Sequence, residues 1–235
     1  MVRDLPHRAP GNASEACWPV AVRPLALAYW PAAIPRLAPM YVPSAFQATD
    51  PLAVVRAEPF ATLVSLASGE AAHVPLLVRS ARPLVLLGHV AAASPLAADV
   101  RAGAELLAVF SGPHGYVSPR DYATGPSVPT WNYVATHIRG RPRVLDDDGA
   151  LAVLDALAAR FEPAVGGWSR AEAPDDLVRG LLRGIVAFDL EASHVDGKAK
   201  LSQNRSPADR DAAIEAVRVR APELAALMAA ARDAR

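Results

Sequence analysis

A single cysteine, Cys17, stands in 235 residues. That excludes an intramolecular disulfide and any metal site built on cysteine, and it suits a reducing compartment. Charge of one sign is equally absent, because Lys plus Arg and Asp plus Glu number 24 each. No global field therefore exists to hold a polyanion such as a nucleic acid. Long apolar runs are missing as well, since proline and arginine interrupt every candidate before the roughly 18 residues of a membrane span. The expected setting is soluble and cytoplasmic, with no membrane partner. Aromatic residues are scarce, 6% of the chain with four tryptophans and five tyrosines, so a place where they cluster asks for a reason.

Proline and aliphatic residues are what the chain has in quantity. A hydrophobic content of 52% over this length supports one substantial core with appendages. In residues 1–39, Pro6, Pro10, Pro19, Pro24, Pro31, Pro35 and Pro39 recur too often for a helical or strand period to establish itself. The stretch "WPVAVRPLALAYWPAAIP" lacks the uninterrupted apolar run of a signal peptide. The expectation is a disordered extension, or a translation start placed too early, with organised sequence opening at Met40.

From Met40 the chain reads as strands with short helices between them. Asp50-Pro51 is a cap followed by a first-turn proline and predicts a helix to about Ala57. "FATLVSLAS", "AHVPLLVR" and "PLVLLGHV" predict a three-strand meander, with Ser68-Gly69-Glu70 as its first turn. Ser94-Pro95 starts a helix to about Val100, and "AELLAVFSG" is the next strand. "NYVATHIRGRPRVL" predicts a long half-exposed strand with Arg139, Arg141 and Arg143 on one side. Asp146 to Asp148 cap a helix with Leu151, Leu154, Leu157 and Phe161 on one stripe. Ser169 and Glu172 form a capping box for a helix ending near Arg183, and "IVAFDLEAS" alternates as a strand. Helices start at Ser206-Pro207 and at Pro222. Six or so strands without long helices between the first three predict an α+β barrel rather than a doubly wound sheet. The expected division is an extension over 1–39, a barrel domain over 40–205 and packed helices over 206–235.

The residues that carry chemistry are spread along the strands. His73, His89, His114 and His137 lack the helical two-histidine spacing of a zinc site, so no metal is expected. Ser111, Ser118 and Ser127 have no nucleophile-elbow context. "FSGPHGYVSPRDY" reads as a long ordered loop, either packed by its own rings or shaped to bind something. In "VDGKAKLSQNRS", Asp196-Gly197 signals a turn and Lys198, Lys200, Ser202, Gln203, Asn204 and Arg205 crowd donors behind it, as a solvated loop or an anion site. "SVPTWNY" places Trp131 and Tyr133 around Asn132. It is either a strand with its asparagine in water or a ligand-facing edge.

Taken in order, "MYVPSAF", "HVPLL", "LLGHVAAASP", "FSGPHGYVSPRDY", "VPTWNY" and "GKAKLSQNRS" resemble the PaiB family of FMN-binding negative transcriptional regulators, over Met40 to about Val217. The resemblance implies a split β-barrel of the pyridoxamine-phosphate-oxidase type, mostly antiparallel, with short peripheral helices and a C-terminal helical segment. It further implies a homodimer with FMN at the subunit interface. By the same resemblance, His73, Pro75, Gly88, His89 and Ala91 lie along the cofactor. Trp131, Asn132 and Tyr133 reach it or its substrate cavity, and Lys200 and Gln203 stand at the rim.

One departure bears on the cofactor. In the family pattern "GH.A(R/K)ANP" the basic residue, assigned to the flavin phosphate, is Ala92 here, and the asparagine is Ser94. A charge-assisted hydrogen bond contributes about 1.5 to 3 kcal/mol, so its loss weakens FMN binding roughly ten- to a hundredfold. The helix starting at Ser94-Pro95, or Arg79, Arg82 or Lys198, are the candidate substitutes. The expected function is an FMN-binding regulator. A flavin-dependent oxidoreductase acting on a small molecule is the alternative, and a haem-binding or haem-degrading protein with His194 or His89 as ligand is a second. Direct DNA contact has little support, because the helix from Ser206 mixes Arg210, Arg218 and Arg220 with Asp209, Asp211 and Glu215.

Overall fold

Alternating burial builds seven strands: β1 (Phe60–Ser65), β2 (Ala71–Pro75), β3 (Leu77–Ala81), β4 (Leu84–Ala91), β5 (Leu106–Val117), β6 (Thr130–Val144) and β7 (Ile185–Lys200). The structure, a computed structural model, describes residues 39–233. The expectation for the proline-rich segment falls, apart from Pro39, outside the described residues. The strands form one antiparallel sheet in the order β2-β1-β5-β6-β7-β4-β3.

That order requires closure. β2 and β3 are joined by Leu76 alone, yet they occupy opposite ends of the sheet, so the sheet must roll until its two edges meet. They meet at Gly88 of β4, where a β-carbon would lie 2.5 Å from Leu76 Cδ2 and 2.9 Å from the Pro75 carbonyl oxygen. No ladder joins β2 to β3 or β4 across this seam. The result is the split β-barrel of an α+β protein. Inside it Leu63, Leu76, Leu86, Phe110, Ile138, Phe188 and Leu190 are fully buried. Removing a buried aromatic such as Phe110 typically costs about 3–5 kcal/mol.

Helices cover the outside. α1 (Leu52–Ala57) and α2 (Leu96–Arg101) close the barrel ends, with Val55, Leu96 and Val100 in the same core. α3 (Asp147–Phe161) and α4 (Asp175–Leu182) lay Ala150, Val153 and Leu182 over Ala187 of β7 and Leu87 of β4. α5 (Pro207–Arg220) and α6 (Pro222–Asp233) form a further core with Val117, Val134 and Leu201.

Several expectations are corrected. The meander is not formed: "AHVPLLVR" breaks at Leu76 into β2 and β3, and β4 pairs with β7 instead of closing a three-strand unit. "FSGPHGY" is strand, because a register shift between Ser111 and His114 absorbs Gly112-Pro113 and lets β5 continue to Val117. Asp196-Gly197 is not a turn. Gly197 lies inside β7 where the strand passes under α1, and a β-carbon there would be 2.5 Å from that of Pro51. The Ser169–Glu172 capping box starts only a 3-10 turn, and α4 begins afresh after Pro174. Phe161 is 56% exposed and leaves the apolar stripe of α3. Asp189 is buried, because Arg79 donates to both its oxygens at 2.8 and 2.7 Å and Arg143 donates at 2.6 Å.

A second carboxylate supplies a pH prediction. Asp209 of α5 accepts from the Thr124 backbone N–H at 2.8 Å and from its hydroxyl at 2.9 Å, pinning the segment after β5 to the helix. The Thr124 backbone bond, then the Thr124 and Ser206 side-chain bonds, hold its pKa below the usual value. A lowered folded pKa means stability present above about pH 4 and lost as pH falls through the folded value. Wild type should therefore exceed Asp209→Asn in urea midpoint at neutral pH, and the gap should close on acidification below about pH 4. A gap constant from pH 7 downward would contradict this.

Candidate functional site

Paired residues share a face of a sheet, which lets the outer surface of the barrel be read in rows. Val64, Leu107 and Arg139 make one row across β1, β5 and β6. His73, Thr62, Val109, His137 and Asp196 make the next across five strands. Then come Ser111, Ala135 and Lys198, then His114, Tyr133 and Lys200, and last Tyr116 with Trp131. Phe60, opposite Pro75, is 64% exposed on the same side. Val64, Leu107 and Val109 belong to none of the three cores and are only half-buried. With Phe60 they form an apolar patch on β1 and β5, within a face that carries His73, His137, Asp196, Lys198 and Lys200 on the neighbouring strands.

Aromatic side chains gather at one end of it. Trp131 Nε1–H donates to His114 Nδ1 at 3.3 Å, and the rings stand 5.8 Å apart, with Tyr116 6.4 Å from the indole. The bond makes His114 Nδ1 an acceptor, so neutral His114 carries its proton on Nε2. Ser111, His114, Trp131, Tyr133 and Ala135 line a cavity of about 310 Å³ here. Lys198 lies 5.5 Å over the Tyr133 ring and donates to the Tyr41 carbonyl at 3.0 Å. Lys200 donates to Thr130 Oγ1 and to the Trp131 carbonyl at 2.9 Å. Burial, then Lys198 and Arg205, push the Lys200 pKa down. His137 is also pushed down, by burial first, while Asp196 opposes and Arg139 reinforces.

The residues singled out from sequence divide into groups. Trp131, Tyr133 and Lys200 share the outer face. His73 and Pro75 share it too, on β2, where His73 Nδ1 meets Thr62 Oγ1 at 3.1 Å. His89 and Ala91 point outward from β4, on the other bank of the seam that Gly88 closes at Pro75. Burial lowers the His89 pKa, and its Nδ1 has no partner among the described residues. Asn132 stands apart from its neighbours. It is fully buried on the inner side of β6, donating to Ser202 Oγ at 2.9 Å and contacting Met228 Sδ of α6 at 3.6 Å. Its side chain is therefore neither in water nor on the face of Trp131. Gln203 caps its own turn, accepting from Leu201 N–H at 2.7 Å and donating to the Ala199 carbonyl at 2.6 Å. His194 is held by Asp196 at 2.9 Å. Sequence reasoning missed Phe60 and Tyr116, which strand alternation would have supplied once the loop reading of β5 was abandoned.

The substitutes for a phosphate cation fare unevenly. Ala92 is half-buried against the barrel core, with its N–H bonded to the Gly184 carbonyl at 2.8 Å. At the start of α2, the N–H groups of Ser94, Ala97 and Ala98 are engaged and Pro95 has none, which leaves only that of Leu96. Arg79 is held by Asp189 and Lys198 by the Tyr41 carbonyl, so neither is a free cation. The outer face suits the flat, largely apolar isoalloxazine, whereas the phosphate meets no cation held in advance at position 92.

Comparison with known proteins bears on this class of flavin-binding split barrel. The sequence profile of the family described as "Putative FMN-binding domain" matches residues 40–194. "Protease synthase and sporulation protein PAI 2" of Bacillus subtilis is 31% identical over 66% of this chain and 76% of its own length. The chain belongs to this FMN-binding family, of the PaiB type. "Uncharacterized protein AN0679" of Emericella nidulans is 32% identical over 47% of this chain and 51% of its length. Among solved structures, a "FAD and Heme binding protein" from Mycobacterium smegmatis is 22% identical over 72% of this chain and 79% of that one, with a TM-score of 0.49.

Proposed function

We propose that this chain is an FMN-binding regulator of the PaiB type, working as a homodimer with FMN between the subunits. The apolar patch on β1 and β5 carries this reading, because Phe60 is exposed and Val64, Leu107 and Val109 are only half-buried in a single chain. Isologous pairing of that patch buries them. The seam flanked by His73, Pro75, His89 and Ala91 offers the cofactor one wall, and the aromatic group of Trp131 and Tyr133 offers another from across the interface. The flavin, when bound, supplies the redox chemistry. This chain's residues hold and orient it and keep water from its ring. A regulatory output through direct DNA contact is disfavoured, because Arg218 and Arg220 of α5 are paired with Glu215 and Asp121. Change in the dimer is the favoured output.

The test joins FMN titration, read by flavin fluorescence, to sedimentation of the same samples. Wild type should bind FMN at micromolar concentrations as a dimer. Val109→Glu should yield monomer and lose FMN, while Trp131→Ala should stay dimeric and bind FMN about tenfold more weakly. A Val109→Glu monomer that binds FMN undiminished would remove the interface from the proposal.

A further inference from the structure

A larger groove of about 650 Å³ adjoins the aromatic cavity, sharing Gly112 and Val134 with it, and Lys198 of the outer rows lines its edge. α1 and α6 form its two walls, and the bulged Pro113 of β5 with Val134 forms its floor. It stays open because Ala53 and Ala57 on α1 and Ala226 on α6 present only methyl groups. Its size falls within the range of small-molecule sites, about 300–1,000 Å³, and its lining is mainly apolar.

The charges at its edge are uneven. Asp50, Glu58 and Glu223 line it against Lys198. Asp50 is paired with Arg56, and Lys198 is directed to the Tyr41 carbonyl and the Tyr41 and Tyr133 rings. Glu58, at the end of α1, and Glu223, in the first turn of α6, make no side-chain hydrogen bond or ion pair among the described residues. Two exposed carboxylates with no protein partner among the described residues thus flank an apolar trough. An apolar body satisfies the floor, and a cationic head satisfies the carboxylates.

We propose that this groove is a second ligand site, adjoining the aromatic cavity at Gly112 and Val134, which takes a small amphipathic cation: a primary ammonium on a hydrophobic body of about one ring and a short chain. The neutral and anionic analogues of such a molecule fit the same trough and lose the head-group interaction, so charge sets the selectivity.

Calorimetry on the full chain, with phenylbutylamine, phenylbutanol and phenylbutyrate as probes, tests this. The amine should bind at least about tenfold more tightly than the alcohol, and the butyrate weakest of the three. Glu58→Gln with Glu223→Gln should bring the amine to the affinity of the alcohol. Ala226→Phe should fill the groove and abolish binding of all three, and Ala226 is exposed on α6, so the helix accepts the ring. Equal affinity for the three probes, no amine binding, or amine binding that survives Ala226→Phe would overturn the proposal. Should Ala226→Phe lose its wild-type circular dichroism, the two glutamine substitutions decide the question alone.

Discussion

Replacing Ala92 with arginine is expected to tighten FMN binding by roughly ten- to a hundredfold, the effect of one charge-assisted hydrogen bond to a phosphate. The backbone accepts the change. Ala92 follows β4 directly, and its N–H bond to the Gly184 carbonyl does not involve the side chain. Its methyl rests on the barrel core only in part, so an arginine stem can lie along that apolar surface and carry its guanidinium to solvent. Of the alternatives, Arg79 is fixed by Asp189 and Lys198 by the Tyr41 carbonyl. Arg82, exposed in the turn between β3 and β4, has no partner among the described residues that would hold it in place for a phosphate. Riboflavin, which lacks the phosphate, separates this from a general effect on the ring site. Its affinity should not change. Tightening of both ligands would mean that the arginine acts on the ring or the dimer, and unchanged FMN affinity would place the phosphate away from residue 92.

Much of this was legible where the signal is local. Asp146 and Ser206 cap α3 and α5 through their side chains, accepting from Gly149 and Asp209 N–H groups, and proline after a capping residue marked α1, α2 and α5. The long strand β6 was visible in its alternation. What escaped was non-local. Nothing between Ala71 and Ala81 says that β2 and β3 will sit at opposite ends of the sheet, because that is decided by the pairing of β4 with β7 about a hundred residues later. Gly197 was misread for a related reason: its small size serves contact with Pro51, which no local pattern reveals.

The site divides in the same way. Trp131, Tyr133 and Lys200 were singled out from the sequence, and they do share one face. Asn132 was grouped with them by the family resemblance, whereas period-2 alternation places it on the other side of the strand. There it joins β6 to α6, since its side chain bonds Ser202 and touches Met228 while its neighbours line the aromatic cavity. Alternation alone could not show that Asp189 is buried, because its two arginine partners come from β3 and β6.

Gly140→Ala is expected to produce the largest loss of stability among single-methyl changes, about 3 kcal/mol. Gly140 faces Ala192 at the point where the β6 and β7 registers shift, and Ser193 is the extra residue, its hydroxyl donating to the Arg139 carbonyl at 3.2 Å. A β-carbon at Gly140 would lie 2.2 Å from the Glu191 carbonyl oxygen and 3.0 Å from its carbon, both backbone atoms that cannot turn aside. The ladder must therefore open where it changes parity. Before the shift, β7 points Val186, Phe188 and Leu190 inward; after it, Asp196, Lys198 and Lys200 join the outer rows. For a domain of this size the midpoint of thermal unfolding should fall by roughly 6–12 °C. Gly125→Ala, where a β-carbon meets nothing within 4 Å, should leave it unchanged. The outer face should suffer as well. Because Lys200 anchors Thr130 and the Trp131 carbonyl from the far side of the shift, Gly140→Ala should weaken FMN binding at temperatures where the chain is still folded. A variant that melts early yet binds FMN as wild type would show that the strand recovers its register before the aromatic cavity is reached.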